Sequence, residues 1–511
     1  MAYVIEMESY RLADGVVETL RYSSGRGFAT LPTDSPPNVF IAPRLSQPLI
    51  ARRDLFDRAT TYGATAAGPG ELQLVNADGG LDMLVTDYAI AGRRLRAWIG
   101  IEGAPFPSGW TLAMTGTVQQ VAASGSTLTV SLADRLADLD EPLLPSTFAG
   151  SNALPMGIEG VDDIKGTRKP RVLGRVRNIS PVLVNTSKLI WQISDRSCAV
   201  TAAYDGGVAL TAGPAYASVD EVQATAPAAG QYRVYAGADG CYLRTGSGIA
   251  RSLTVDADSG TACAAVLAVQ VLTAMGIEQI DAGDVAALAA LNPAPVGLWA
   301  TDDTTARDVL DRLMGSVGAW YGFDRFGVLR MGRLEAPAGQ PVAILSDVTT
   351  LDLQSTADSD RGLPAWRVKL TYGLNYTAQS AGELAGDKAG EVDPVGGLSR
   401  RAWLAEDHRT ATAEDAARKS AWPTAPELEM DTCLCEQADA EAEAARRLAL
   451  YGGRLLFQVR LPLTPGNAGI EPGCCVMLRR PRWGLRNGRL LRVIGWQVNF
   501  ELNELTLRLW G

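Results

Sequence analysis

The amino-acid sequence predicts an α+β fold, mainly β, spread over several domains. Three observations carry this. Period-two alternation recurs along most of the chain: Val498, Phe500 and Leu502 alternate with Gln497, Asn499 and Glu501, and Leu505, Leu507 and Leu509 with Glu504, Thr506 and Arg508, the pattern of half-buried strands. Glycine numbers 53, enough to punctuate many short strands with turns. Helical periodicity is confined to a few stretches after Asp256. With 511 residues, 47% hydrophobic and 20% charged, the chain has room for about three or four domains, each with its own core. They are expected at 1–150, a β-barrel or sandwich by strand spacing; 151–255, a small β-rich unit; 256–340, an α/β unit with a helix and hairpin; and 341–511, a second β-rich domain carrying a helix.

The elements follow in order. "YVIEME" alternates, and Pro36-Pro37 and Pro43 then mark an extended arm or loop,. "ELQLVNADGGLDMLV" holds a strand and a turn at Asn76 to Gly80. "RRLRAWIGIEG", "TLAMTGTVQQVAA" and "STLTVSLADRL" are short strands parted by Gly, Ser or Pro,. "KPRVLGRVRNISPVLV", "KLIWQISD", "VTAAYDGGVAL" and "QYRVYAG" continue in the same manner. Helices are predicted at Thr261–Met275 and Asp284–Leu291. A third follows Thr305, whose spacing to Asp308 allows a capping box,; Ala306, Val309, Leu310, Leu313 and Val317 share its apolar face. A hairpin around "DRFG" comes next, then the alternating "LPAWRVKLTYGLNY" and a Gly/Ala-rich loop over 377–400. "EQADAEAEAARRLALYGG" reads as a helix, with acids leading, Arg446 and Arg447 trailing and Gly452-Gly453 closing it,. "RLLFQVRLPL" is a strand, and Asn487-Gly488 turns the chain into the terminal sheet,.

The formal net charge is -10 and the pI about 5.0. That balance argues against a protein that grips nucleic acid by its phosphates. It leaves open a surface past which DNA slides without sticking, because an acidic wall repels phosphates. One histidine, His408, is present; a His-pair zinc site is excluded, and any Ser-His-Asp or Cys-His site would depend on that residue. The start lacks the basic and apolar pattern of a secretory leader. The longest apolar stretch, "ACAAVLAVQVLTAMGI", contains Gln270 and is shorter than the roughly 20 residues of a membrane span. GxSxG, Walker and HExxH motifs are absent,.

Several polar groupings invite a sharper reading. Cys433-x-Cys435 and Cys474-Cys475 could hold a metal or iron–sulfur cluster, but they lack the two-residue gap of zinc sites, and buried thiols in a reducing cytosol are the expectation,. Cys198, Cys241 and Cys263 complete an odd count of seven. Asn76, Asp78 and Asp82 offer calcium-type oxygens without the closing Glu of an EF-type loop, so a polar turn is expected. The acid pairs Asp302, Asp303 and Asp358, Asp360 are read as solvated or capping, although two carboxylates are all a glycosidase requires. No catalytic, cofactor-binding or metal residue is assigned, and no cofactor is expected.

Four segments in this order, "AGPGELQLVNADGGLDMLVTDYAIAGRRLRAWIG", "TTARDVLDRLMGSVGAWYGFDRFGVLRMGRL", "LPAWRVKLTYGLNY" and "GCCVMLRRPRWGLRNGRLLRVIGWQVNFELNELTLRLWG", resemble the tail hub, or tail-tip, proteins of tailed bacteriophages and prophages. The resemblance implies that the first and last domains are tail-tube-like β-barrels. It implies a homotrimer whose six barrels adapt the sixfold tail tube to a threefold tip, at the distal end of a virion tail assembled in the host cytoplasm. The implied partners are distal tail or tail-tube proteins, the tape measure protein, tail-tip and fibre proteins, and DNA passing through the channel without specific binding. It implies a baseplate role in host cell attachment and DNA ejection, and no enzyme. A wall- or polysaccharide-degrading tip protein and a receptor-binding module are the alternatives.

Overall fold

The computed structural model describes residues 2–47, 50–56, 61–68, 70–260, 263–355, 364–380, 382–384, 399–453, 455–464 and 466–511. Strand occupies 40% of the described residues and helix 15%, so the fold is mainly β with a few helices. Two eight-stranded sheets anchor its two halves.

In the N-terminal sheet the strands lie in the order Tyr88–Ala89, Ala2–Arg11, Arg94–Gly100, Thr111–Ser124, Thr127–Leu132, Glu71–Val75 and Leu45–Gln47, and Val17–Ser23 also pairs with Ala2–Arg11. The free side of Val17–Ser23 returns to the opposite edge. Tyr22 bridges Ala42, just ahead of Leu45, and Ser23 N donates to Ala42 O at 2.8 Å. The sheet therefore closes on itself as a barrel. Alternate residues point inward, and Ile5, Met7, Leu72, Leu74, Leu95, Val118, Leu128 and Val130 are buried.

In the C-terminal sheet the order is Ile344–Leu345, Cys475–Leu478, Arg489–Asn499, Glu504–Trp510, Leu456–Pro462 and Asp352–Ser355. The two edge strands are joined only by residues 346–351, which turn tightly, with Thr349 N donating to Ser346 O at 3.2 Å. Laid flat, the edges would stand about 24 Å apart at ~4.8 Å per strand. A link of this length containing a tight turn cannot reach that far, so this sheet is rolled as well.

The two barrels share one topology. Counting six strands per barrel in chain order, both follow the path 1-4-5-6-3-2; this sets aside the arm strands Ile50–Asp54 and Ala66–Gly68, Tyr88–Ala89, and Val17–Ser23, which closes the N-terminal barrel and has no counterpart in the C-terminal one. The four contacts 4-5, 5-6, 6-3 and 3-2 are antiparallel in both. The first strand runs antiparallel to the fourth in the N-terminal barrel and parallel in the C-terminal one. Both fifth strands bulge against the sixth, between Val118 and Gln120 and between Val493 and Gly495. After each bulge, five residue pairs lead to the turn: Gln120–Ser124 with Ser131–Thr127, and Gly495–Asn499 with Arg508–Glu504.

Between the barrels, strands from Arg171–Ile179 to Gly297–Ala300 build two five-stranded sheets. Helices Ala264–Ala274, Ala282–Leu291 and Ala306–Ser316 share a core with the hairpin Ala319–Phe323 and Leu329–Arg333. The Thr305–Asp308 capping box is formed, and Val309, Leu310 and Leu313 are buried. Arg367–Tyr372 lies between Arg409–Glu414 and Glu427–Met430, with helix Gln437–Leu450 packed on it. Of the loop expected at 377–400, residues 381 and 385–398 lie outside the described residues, and its end is a helix, Arg400–Ala405, capped by Ser399.

One segment crosses the molecule. Ile50–Asp54 leaves the N-terminal barrel and pairs antiparallel with Gly495–Asn499 in the C-terminal barrel. Gly63–Ala64 then runs parallel to Trp320–Tyr321, and Ala66–Gly68 returns along Arg52–Asp54. This arm is stitched into two sheets distant in sequence.

Candidate functional site

The seam between the barrels is where distant segments converge. Tyr3 opens the first strand of the N-terminal barrel and packs edge-on against Phe500, with ring centroids 4.9 Å apart. Its hydroxyl bonds Asn503, in the turn between the fifth and sixth strands of the C-terminal barrel. The buried side chains of both barrels form one continuous apolar cluster.

The tip of the "DRFG" hairpin is wedged into the same seam. Thr115 N in the N-terminal barrel donates to Arg325 O at 2.7 Å. The Arg325 guanidinium bonds Ala468 O of the C-terminal barrel. Its Nε stands 2.6 Å from Glu471 Oε1, an ion pair without hydrogen-bond alignment. Arg53 of the arm reaches Glu471 from the other side at 3.4 Å, as does Trp496 Nε1. One carboxylate thus sits between two guanidiniums. Burial pushes the Glu471 carboxyl up, against the pull of Arg325 and Arg53. Burial likewise pushes Arg53 down, against Glu471. Arg53 Nε and Nη2 have no hydrogen-bond partner among the described residues.

Two further carboxylates hold the arm. Asp54, 3% exposed, pairs with Arg508 at 2.8 Å and Arg52 at 2.6 Å. Gly495 stands opposite it, and a Cβ there would overlap the Asp54 carboxylate; only glycine admits this approach. Asp311, on helix Ala306–Ser316, accepts from Ala64 N at 3.0 Å and from the Tyr321 hydroxyl at 2.9 Å. Burial pushes the Asp311 carboxyl up, opposed by those two bonds. These charges are engaged in joining segments, which is a structural use of ionic groups.

A cleft of about 540 Å³ flanks the fourth and fifth strands of the N-terminal barrel, lined by Arg94, Arg96, Trp98, Arg135 and Phe326 among others. Its described lining contains no carboxylate, imidazole, thiol or amine. Arg96 and Arg94 pair with Glu6 at 3.6 Å and Glu8 at 4.0 Å on the adjoining strand. Arginines and threonine hydroxyls without a base offer no nucleophile–base pair for covalent or general-base chemistry.

The residues singled out in sequence are dispersed. Cys433 and Cys435 are buried beside the helical core, Cys433 N donating to Ser316 Oγ at 2.7 Å. Cys474 and Cys475 open the fourth strand of the C-terminal barrel. Burial pushes the Cys433 thiol up, Cys435 to about 12 and Cys474 to about 11, the direction of inert, protonated thiols. Among the described residues no three His, Cys, Asp or Glu side chains converge as a metal site. Asn76 and Asp82 bond each other at 2.7 Å and Asp78 forks to Arg44 at 2.6 and 2.7 Å, so these oxygens close a polar turn. Asp302 accepts from Thr304 N and Asp303 pairs with Arg168; Asp358 and Asp360 lie outside the described residues. His408 Nδ1 lies 2.9 Å from its neighbour Asp407, both well exposed. No described helix is long and apolar enough to cross a membrane.

Sequence reasoning missed the arm and the seam. Arg53 and Glu471 are 418 positions apart, and "ARRD" has no strand periodicity. The hairpin tip was legible as a hairpin, but nothing local marks Arg325 as a bridge.

No protein family and no curated protein matches the chain. Among solved structures it is similar to the 43 kDa tail protein of prophage MuSo2 from Shewanella oneidensis, at 10% identity over 99% of this chain and 98% of that one, TM-score 0.41. It is similar to a tail protein from Neisseria meningitidis MC58, at 10% identity over 100% and 96%, TM-score 0.42. It is similar to a chain in the virion of a native gene transfer agent particle, at 16% identity over 73% and 91%, TM-score 0.43.

Proposed function

We propose that this chain is a structural hub protein of a bacteriophage-type tail. Three copies form a ring at the distal end of the tail tube, where six barrels meet the tube's sixfold symmetry and three chains meet the tip's threefold symmetry. The observation that carries this is the repeated 1-4-5-6-3-2 path, with equivalent bulges, in the first and last domains of one chain. A chain that presents two equivalent barrels side by side can stand in for two neighbouring subunits of a ring. The seam supports a structural role: Glu471 and Arg508 tie the hairpin and the arm to the C-terminal barrel, and Thr115 N ties the hairpin to the N-terminal one. The net charge of -10 suits the wall of a DNA conduit. Neighbouring tube and tape measure proteins, and tip or fibre proteins, would occupy the two faces of the ring, and no bond-making chemistry is assigned to it.

The decisive measurement is the mass of the purified assembly, together with its symmetry in an image of the particle. A ring of three chains is expected. A chain that stays monomeric at all concentrations, with no ring in the particle, would refute the proposal.

A further inference from the structure

The two barrels share the 1-4-5-6-3-2 path, but their fifth strands are paired unequally. In the C-terminal barrel, Gly495–Asn499 of the fifth strand pair with the sixth strand on one side and with the arm, Ile50–Asp54, on the other. The equivalent five residues of the N-terminal barrel, Gln120–Ser124, pair with the sixth strand. On their other side pairing with the fourth strand ends at Thr117, opposite Arg94, and Gly92 and Arg93 engage only Val118. Among the described residues nothing pairs with that side of Gln120–Ser124. Gln120, Ala122, Ala123 and Ser124 are exposed. An uncovered strand edge is a template for another strand.

A second inequality points to what covers it. Within the chain, the first strand of the N-terminal barrel, through Tyr3, meets the fifth-to-sixth turn of the C-terminal barrel, at Phe500 and Asn503. The reciprocal pair is unmet. The first strand of the C-terminal barrel and its flanks carry bare apolar side chains: Val342 is 61% exposed, Ile344 58% and Val348 95%. At the fifth-to-sixth turn of the N-terminal barrel, Gly125-Ser126, Ser126 O accepts from Asn76 N of the same barrel, and among the described residues no backbone bond reaches it from the C-terminal barrel.

We infer that the edge Gln120–Ser124 is completed by an extended strand of a second copy of this chain, whose C-terminal barrel sets Val342 and Ile344 near the Gly125-Ser126 turn. The contact between copies would repeat the contact inside each copy, a head-to-tail arrangement that closes as a ring. This rests on the ring proposed above, and adds which edge joins the copies. Ser124 and Thr127 flank a two-residue turn, so they bond each other and Ala123 and Val121 aim their N–H and C=O at the open side.

The test is amide hydrogen exchange on the full chain, as dilute monomer and as ring, with Ala123→Pro as the perturbation. In the ring, exchange at Val121 and Ala123 should slow at least tenfold. Ala123→Pro should weaken assembly at least tenfold and leave protection of Thr127–Leu132 in the monomer unchanged, since proline is tolerated on an edge strand. A ring in which Gln120–Ser124 exchanges as fast as in the monomer would overturn the inference and leave the ring standing. No ring at any concentration would overturn both. Protection that appears only after other tail proteins are added would assign the edge to a different partner and overturn the second-copy assignment.

Discussion

Gly495→Ala should unlatch the arm. The wild-type strand pair Gly495–Asp54 brings backbone and carboxylate so close that a methyl group has no room. Asp54 must then leave its place between Arg508 and Arg52, or the whole strand Ile50–Asp54 must lift. Removing one partner from a buried ion pair costs about 3–5 kcal/mol. Arg508 keeps a fifth of its side chain in solvent, so the low end, about 3 kcal/mol, applies. At 1.4 kcal/mol per tenfold, that shifts the docked-to-undocked ratio by about 100-fold.

The arm carries its own reporter. Trypsin cuts after arginine, and Arg53 is 4% exposed, so cleavage at Arg53 requires the arm to open. When opening and closing are fast relative to cleavage, the rate tracks the open population. Mass-resolved proteolysis should show cleavage after Arg53 accelerating about 100-fold in Gly495→Ala. Cleavage at Arg26, outside the arm, should change little. Asp54→Ala removes the obstruction, so adding Gly495→Ala to it should cost far less than on the wild type. Equal cleavage rates in Gly495→Ala and wild type, or acceleration at every arginine alike, would refute this account of the latch.

Three other outcomes are expected. Arg447, almost fully buried, links Glu443 at 2.7 Å to the carbonyls of Gly315 and Ser316. Glu443→Gln should therefore destabilise the docking of helix Gln437–Leu450 by about 3 kcal/mol, read as faster exchange of that helix. Burial alone would raise the Glu443 carboxyl, but Arg446 and Arg447 outweigh it and hold it below its ordinary value; its stabilisation is full above the unfolded value near 4.3 and is lost as pH falls through the lower folded value, so an acid titration of Tm should be shallower in the variant. Cys433→Ser and Cys435→Ser should leave assembly intact with no metal co-purifying; stoichiometric iron or zinc lost in these variants would reverse that. The ring's inner wall should carry more Asp and Glu than Lys and Arg, because inward lysines would hold DNA by counterion release; a solved ring with a neutral or basic lumen would contradict it.

What was legible in the sequence was local. Alternation at Leu505, Leu507 and Leu509 appears as a strand with those three side chains buried. The Thr305–Asp308 box caps its helix, and the "DRFG" hairpin forms between Ala319–Phe323 and Leu329–Arg333, because caps and turns are decided within a few residues. The ionic part of the seam was not legible, because its members are charged residues whose meaning depends on partners hundreds of positions away. "ARRD" reads as a solvated charge run until Glu471 and Arg508 are set beside it. The equivalence of the barrels was hidden for another reason. A strand path is a property of pairing, and Gly495-Trp496-Gln497 and Gln120-Val121-Ala122 occupy equivalent places with unlike side chains.

The arm also constrains how the fold is reached. The fifth strand of the C-terminal barrel is paired along 495–499 by residues more than 400 positions earlier in the chain. Pairings this distant in sequence form slowly, since a long loop must close before they are rewarded. Ala66–Gly68 can pair locally with one side of the arm, but throughout that interval the arm's other side is an open strand edge, the kind of edge that recruits other chains. Its sequence answers the hazard: Arg52, Arg53 and Asp54 stand in succession, and charges on an open edge disfavour pairing with anything that does not neutralise them. The correct partner supplies the neutralising groups, Glu471 for Arg53 and Arg508 for Asp54. The ion pairs of the seam therefore act as a selection rule for one docking partner more than as a reservoir of stability, which follows from the high desolvation cost of buried charges. The open edge at Gln120–Ser124 lacks such charges, so protection there has to come from prompt pairing with another chain.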